Sequence, residues 1–171
     1  MFWFDAMGGV PQRRWQEIYD TIKSLQPDCL VITNHGHGSN GTRLRFWPTD
    51  VIAGERTLPP PEGHDPRIRH GGKTYYIPME VCDVSAVGTF SKGWFWEPGE
   101  QIKEVQRELV PLHRNTAARR ANLLLNVTIN RAGQVPETTV QRLRELGRAI
   151  RSAAPQVFEG AHRCDLPQPR Y

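Results

Sequence analysis

The chain has 171 residues, of which 38% are hydrophobic, and a formal net charge of +4, so it can form one ordinary domain with a core and lacks the composition of a disordered chain. Its basic residues are scattered along predicted helices and mixed with glutamate, so we expect no nucleic-acid partner. Three cysteines without CxxC spacing exclude a disulfide scaffold, and no apolar stretch is long enough to span a membrane.

The first residues predict a strand that ends in a carboxylate. Phe2–Phe4 is aromatic, as half-buried strands often are, and it leads into Asp5. Residues 12–25 carry apolar side chains at helical spacing, and Pro11 suits the start of a helix. An apolar run over residues 28–33 predicts a buried strand. A strand, a helix and a strand within about thirty residues form a βαβ unit with parallel strands and a right-handed crossover.

Residues 35–72 are rich in glycine and proline and predict a long irregular loop, which in a compact domain is usually functional or disordered. The later predicted elements are a short strand over 74–78, an extended segment over 80–85, a helix over 100–114, a buried strand over 122–127 and a helix over 136–150. This order is typical of roughly the second half of a (β/α)8 barrel, since a whole barrel needs about 250 residues. We therefore predict an α/β fold with a partial TIM-like barrel (strands 4–8) over residues 1–152, followed by an irregular tail over 153–171.

Four segments of the chain resemble, in the same order, the α-L-fucosidases of glycoside hydrolase family twenty-nine. They are Trp3-Phe4-Asp5; the strand entered at Gln26-Pro27; Met79-Glu80-Val81-Cys82-Asp83-Val84-Ser85 with Gly93-Trp94-Phe95-Trp96; and Asn122-Leu123-Leu124-Leu125-Asn126 with Gly133, Pro136 and Glu137. The last segment is the most specific. The resemblance implies a retaining exo-glycosidase that hydrolyses terminal α-L-fucosyl bonds without a cofactor.

The resemblance also implies that parts of the family's catalytic domain lie outside this sequence. The first strands of the family's barrel, with histidines that contact fucose, should precede Phe2, and the β-sandwich that often follows the barrel is absent. We therefore expect the C-terminal half of a catalytic barrel, or a shortened relative, that is inactive alone and whose open sheet edge could pair in a homo-oligomer. No signal peptide is visible, and the compartment stays unassigned; secreted, periplasmic and lysosomal locations all fit the intact family.

Retaining hydrolysis needs a nucleophilic carboxylate and an acid/base about 5–5.5 Å apart. The resemblance implies that Asp5 is the nucleophile, although from the residues alone it can equally be a solvated aspartate before a helix. The acid/base is open among three residues. Glu80 matches the glutamate of one family branch, whereas Glu55 and Asp50 lie in the loop where another branch carries its acid. Each of the three can instead be a structural carboxylate paired with an arginine.

Several aromatic and polar residues are candidates for substrate binding. Trp94 and Trp96 can form a sugar platform or pack in the core, and the same two roles are open for Trp3. Asn34 or His35 can contact a sugar hydroxyl or belong to a polar loop, and the arginine that the family often has hereabouts is absent. The His-Gly-His motif that begins at His35 lacks further ligands at metal-binding spacing, so we predict no metal site.

Two further functions fit the same residues. One is a carbohydrate-binding remnant without hydrolysis, and the other is a retaining glycosidase for a different sugar on the same barrel. For the fucosidase, the expected partner is a fucosylated oligosaccharide or glycoconjugate.

Overall fold

The computed structural model describes residues 1–34, 44 and 46–152. Its elements in chain order are β1 Phe2–Phe4, α1 Gln12–Leu25, β2 Val31–Thr33, β3 Val51–Glu55, β4 Arg67–His70, β5 Lys73–Tyr76, β6 Met79–Val84, β7 Ala86–Val87, β8 Gln101–Ile102, a π-helical turn Val105–Leu109 that continues into α2 Val110–Ala118, β9 Ala121–Asn126 and α3 Glu137–Ser152.

The described residues divide into two compact units. The first contains Met1–Val81 and Thr116–Asn122, and the second contains Cys82–Asn115 and the residues from Leu123 to Ser152. Strands β6 and β9 each begin in the first unit and end in the second. Within the described residues, no helix has both the length and the apolar character needed to cross a membrane. The predicted tail over residues 153–171 lies outside the described part of the chain.

The first unit is built on parallel strands, as the βαβ pattern predicts. Strand β1 pairs with β2, with Phe2 beside Val31, and β2 pairs with β3, with Ile32 beside Val51. The full strand order is β1-β2-β3-β6-β9. Val31 and Ile32 are almost fully buried, which explains why β2 is an uninterrupted apolar run. The α/β class and the parallel sheet predicted from the sequence are confirmed.

Helix α1 covers one face of β1 and β2. Trp15 and Tyr19 are fully buried there, and the Trp15 ring meets the Phe4 ring edge-on with 5.3 Å between centroids. The Trp15 indole also donates to the Pro48 carbonyl over 2.7 Å, so its polar atom is satisfied inside the core. Successive strand residues point to opposite faces, and a second apolar cluster forms on the face away from α1. Its members are Trp3, Ile32, Val51 and Ala53.

The prediction of an irregular region from residue 35 to 72 was wrong in two places. Strand β3 lies inside it, and the hairpin of β4 and β5 begins inside it. The hairpin turn is Gly71-Gly72, with φ values of +55° and +78°, a pair that is typical of two-residue hairpin turns. Strand β3 was not predicted from the sequence because its apolar run is short and contains Gly54.

The second unit corrects one helix boundary and confirms another. Helix was predicted from residue 100, but Gln101 and Ile102 form β8 and pair with β7. The helical turn begins only at Val105, because the Glu104 side chain accepts a hydrogen bond from Arg107 N and caps the end. The last helix matches its prediction within two residues. Its buried side packs in a cluster formed by Val105, Leu109, Val110 and Leu146, with Leu125, Ala149 and Ile150 around it.

Candidate active site

The carboxyl ends of the first three strands bring polar side chains together in the first unit. Asp5 follows β1, Asn34 follows β2 and Glu55 ends β3. Each of these residues lies two positions after a residue of the apolar cluster on the face away from α1. Because successive side chains of a strand alternate between its two faces, all three side chains belong to that same face. Asn34 N donates to the Phe4 carbonyl over 2.8 Å, which fixes Asn34 beside Asp5.

A single amide group joins two carboxylates at this edge. Asn34 is 2% exposed, and its Nδ2 lies 2.9 Å from Asp5 Oδ1 and 2.9 Å from Glu55 Oε2. An amide NH2 carries two hydrogens, so each carboxylate can receive one. Because the two distances share one nitrogen, the two accepting oxygens lie no further apart than twice 2.9 Å, or 5.8 Å.

The backbone turns sharply directly after both carboxylates. Ala6 has φ +53° and Arg56 has φ +49°, left-handed values that non-glycine residues adopt with strain. Ala6 N also donates to Asp5 Oδ1 over 2.7 Å. Asp5 is exposed and Glu55 is half-buried, so a ligand can reach these two side chains while a buried amide holds them.

Glu80 belongs to the same unit but has different partners. Ile52 N donates to the Pro78 carbonyl over 2.9 Å, so β6 starts level with the second residue of β3. Glu80 is 7% exposed, and its carboxylate accepts from Trp3 Nε1 at 3.1 Å and from Asn122 Nδ2 at 3.2 Å. Both donors are neutral. Trp3 therefore has a packing role against the sheet and a hydrogen-bonding role toward Glu80.

Asp50 lies at the opposite end of the strands. It precedes β3, and its backbone N donates to the Val31 carbonyl, so it stands at the amino edge of the parallel sheet. Its carboxylate is 1% exposed and contacts Lys23 Nζ at 2.6 Å. It also accepts from the Tyr19 hydroxyl at 2.7 Å and from Val31 N at 2.8 Å. These contacts give Asp50 the structural environment that the sequence left open, with a lysine in place of an arginine.

Trp94 and Trp96 lie in the second unit, in a turn rather than a strand. The Asn126 side chain holds this turn by donating to the carbonyls of Gly93 and Trp94 over 3.3 and 3.1 Å. Gly93 has φ +87°, and a Cβ there would lie 2.1 Å from the Ala86 carbonyl oxygen, so only glycine fits. Both tryptophans are half-buried, and their role toward a sugar stays a prediction.

His35 lies outside the described residues, so its predicted sugar contact stays a prediction. Within the residues that the structure describes, no three His, Cys, Asp or Glu side chains are grouped so that they could hold a metal ion.

Residues 1–153 match the sequence model of the family described as alpha-L-fucosidase. The chain belongs to the α-L-fucosidase family. This match covers every residue from which the resemblance was drawn, so the recognition of the family from its motifs is confirmed. A comparison with curated proteins finds no match.

Solved fucosidase structures share the fold of this α-L-fucosidase family member. Alpha-L-fucosidase isoenzyme 1 from Paenibacillus thiaminolyticus is 22% identical, with a TM-score of 0.59 over 82% of this chain and 31% of its own. Alpha-L-fucosidase AlfC from Lactobacillus casei, solved with its alpha-L-fucose product, is 22% identical, with a TM-score of 0.56 over 87% of this chain and 40% of its own. The chain therefore spans less than half the length of these two solved relatives.

One residue of the candidate site was missed from the sequence. Asn122 was quoted only as part of a motif, yet its amide reaches Glu80 across 42 positions of the chain. The signal was the pair of amides that flank the apolar run of β9. The sequence predicted a buried strand here, but its apolar residues are half-buried and Asn122 is exposed. The meeting of Glu55 with Asp5 was also missed, since β3 was not recognised as a strand.

Proposed function

We propose that the protein carrying this sequence hydrolyses terminal α-L-fucosyl linkages with retention of configuration, with Asp5 as nucleophile and Glu55 as acid/base. Membership of the α-L-fucosidase family supports fucose as the sugar that the protein releases. The bridge through Asn34 supports Asp5 and Glu55 as the catalytic pair, because it keeps one Asp5 oxygen within 5.8 Å of one Glu55 oxygen. Retaining enzymes hold their carboxyl groups about 5–5.5 Å apart, whereas inverting enzymes leave about 6.5–9.5 Å for a water molecule.

In the proposed first step, an Asp5 oxygen forms a bond to C1 of the fucosyl group while the bond from C1 to the leaving oxygen breaks. Glu55 gives its proton to that leaving oxygen. In the second step, a water oxygen forms a bond to C1, the bond to Asp5 breaks, and Glu55 takes a proton from the water. Only carboxyl groups and water take part, so the proposed reaction uses no cofactor.

Glu80 is the second candidate for the acid/base. Its burial and its two neutral donors fit a carboxyl group that is held in one orientation. Comparing Glu55→Gln with Glu80→Gln separates the two candidates, because loss of the acid slows the cleavage of poor leaving groups far more than that of good ones. Asp50 is left out of the proposal because its carboxylate is engaged with Lys23 at the other end of the strands.

The sheet order and the fold likeness also support the proposal that these strands correspond to strands 4–8 of a (β/α)8 barrel. A barrel of that kind presents its catalytic residues at the carboxyl ends of its strands. Asp5 and Glu55 occupy such ends.

The first test is the release of p-nitrophenol from p-nitrophenyl α-L-fucoside by the whole protein that carries this sequence, since the chain by itself is expected to be inactive. We expect Asp5→Asn to lower the rate on the order of 10³-fold or more, because the variant has no carboxylate to form the intermediate. Asp28→Asn is the matched control, since Asp28 is an exposed aspartate before the amino end of β2. NMR of the first fucose released should show the α anomer.

Three results would contradict the proposal in different ways. Equal rates for Asp5→Asn and the unaltered protein would remove Asp5 from the role, and an initial β anomer would remove the retaining mechanism. Calorimetric binding of fucose without any hydrolysis would favour the carbohydrate-binding remnant.

A further inference from the structure

We infer that Asn34 is the positioning residue that sets the separation and orientation of the Asp5 and Glu55 carboxyl groups; this inference rests on the proposed function. The side chain is buried, and its one nitrogen lies at the same distance, 2.9 Å, from both carboxylates. The two N–H bonds of an amide diverge in a fixed plane, so neither carboxylate can rotate or shift without losing its hydrogen bond.

The position of Asn34 is itself fixed by the sheet. Its backbone N donates to the Phe4 carbonyl, and β2 lies between β1 and β3 in the strand order. Asn34 therefore follows the central strand of three, with one carboxylate at the end of each neighbouring strand. A short side chain at this place can reach both sides.

The Asp5 oxygen that joins the bridge also has a second donor. Oδ1 accepts from Asn34 Nδ2 and from Ala6 N, so this oxygen is held by two donors. In the proposed mechanism one Asp5 oxygen attacks C1, and the other becomes the carbonyl oxygen of the fucosyl ester. The two donors hold the Asp5 carboxylate in one orientation before the reaction, so its attack needs no rearrangement of this side chain.

The test measures kcat and KM of Asn34→Ala with two aryl α-L-fucosides, one with a 2,4-dinitrophenyl leaving group and one with an unsubstituted phenyl leaving group. We expect a loss of about 100-fold in kcat for the phenyl substrate, since a displacement of about 1 Å at a catalytic pair can cost that much. The loss should be several-fold smaller for the dinitrophenyl substrate, which leaves without a proton from Glu55. KM should change little in both cases.

Thr33→Val is the matched control on the same strand. Thr33 is fully buried, and its hydroxyl has no hydrogen-bond partner among the described residues. This variant perturbs β2 next to Asn34 without touching either carboxylate, so both substrates should be cleaved as by the unaltered protein. A merely structural role of Asn34 would lower the two rates by the same factor.

A second comparison asks whether Asn34 acts through Glu55. In a Glu55→Gln background, Asn34→Ala should cost far less for the phenyl substrate than it does alone, because residues that act as a unit have non-additive effects. Additive losses, or equal losses for both leaving groups, would overturn the inference while the proposed function stands. Absence of fucoside cleavage by the whole unaltered protein that carries this sequence would overturn the proposed function, and the inference with it.

Discussion

Asp50 and Asp5 are the same residue type at opposite edges of one sheet, Asp50 before β3 and Asp5 after β1, and their surroundings differ. Asp5 is exposed and shares a neutral amide donor with a second carboxylate. Asp50 is buried and contacts a lysine, a tyrosine hydroxyl and a backbone N–H. A buried charge is tolerated only with such partners, so Asp50 connects α1 to the amino edge of the sheet.

The first prediction at this scale concerns Asp50→Ala. We expect it to lower the free energy of unfolding by about 3–5 kcal/mol, because it leaves Lys23 without its buried partner. Urea unfolding measures the change, with Asp28→Ala as an exposed control that should stay within about 0.5 kcal/mol. The folded variant should keep its kcat; a stable variant that has lost turnover would assign Asp50 to catalysis.

At the scale of elements, helix α1 and the sheet are held together by aromatic packing. The Trp15 ring contacts Phe4 on β1, Tyr19 on its own helix and Phe46 in the segment before β3. Its indole N–H reaches the Pro48 carbonyl. One side chain therefore positions the segment that leads into β3, and β3 carries Glu55 into the site.

Trp15→Ala should lower the free energy of unfolding by about 3–5 kcal/mol, as large-to-small changes of core aromatics do. Arg14→Ala on the exposed side of the same helix should change it by less than about 0.5 kcal/mol. Thermal or urea unfolding followed by circular dichroism compares the two. Similar small changes in both variants would show that α1 does not depend on this aromatic contact.

For the whole molecule, the strand order begins at β1 and ends at β9. Among the described residues no further strand pairs with the outer side of β1. Phe2 on this strand is 41% exposed. Unpaired edges with apolar side chains favour pairing with another chain, and a charged residue there opposes it.

When residues 1–171 are produced by themselves, we expect them to self-associate as their concentration rises, and Phe2→Lys to lower the association constant by at least about tenfold. Analytical ultracentrifugation over a concentration series measures this. Phe90→Lys is the control, since Phe90 is 94% exposed but lies in a turn rather than at a strand edge. A larger effect of Phe90→Lys would assign the association to the turn, and a chain that is monomeric at every concentration would contradict the prediction.

Prediction from the sequence succeeded where structure depends on neighbours along the chain. Helices α1 and α3 follow from apolar spacing, and β9 follows from a continuous apolar run. It failed at β8, where Gln101 and Ile102 look like the start of a helix but pair with β7. The sequence also failed to predict β3, because this strand is extended through its pairing with β2 on one side and β6 on the other.

By itself, the sequence determined the βαβ pattern, the amphipathic helices and the motifs that identify the α-L-fucosidase family. Only the tertiary structure decided which carboxylate meets Asp5. Asn34 lies 29 positions from Asp5 and 21 from Glu55 along the chain, and their meeting depends on the register of three parallel strands. Such contacts are set by packing between distant segments, and local residue preferences do not encode them.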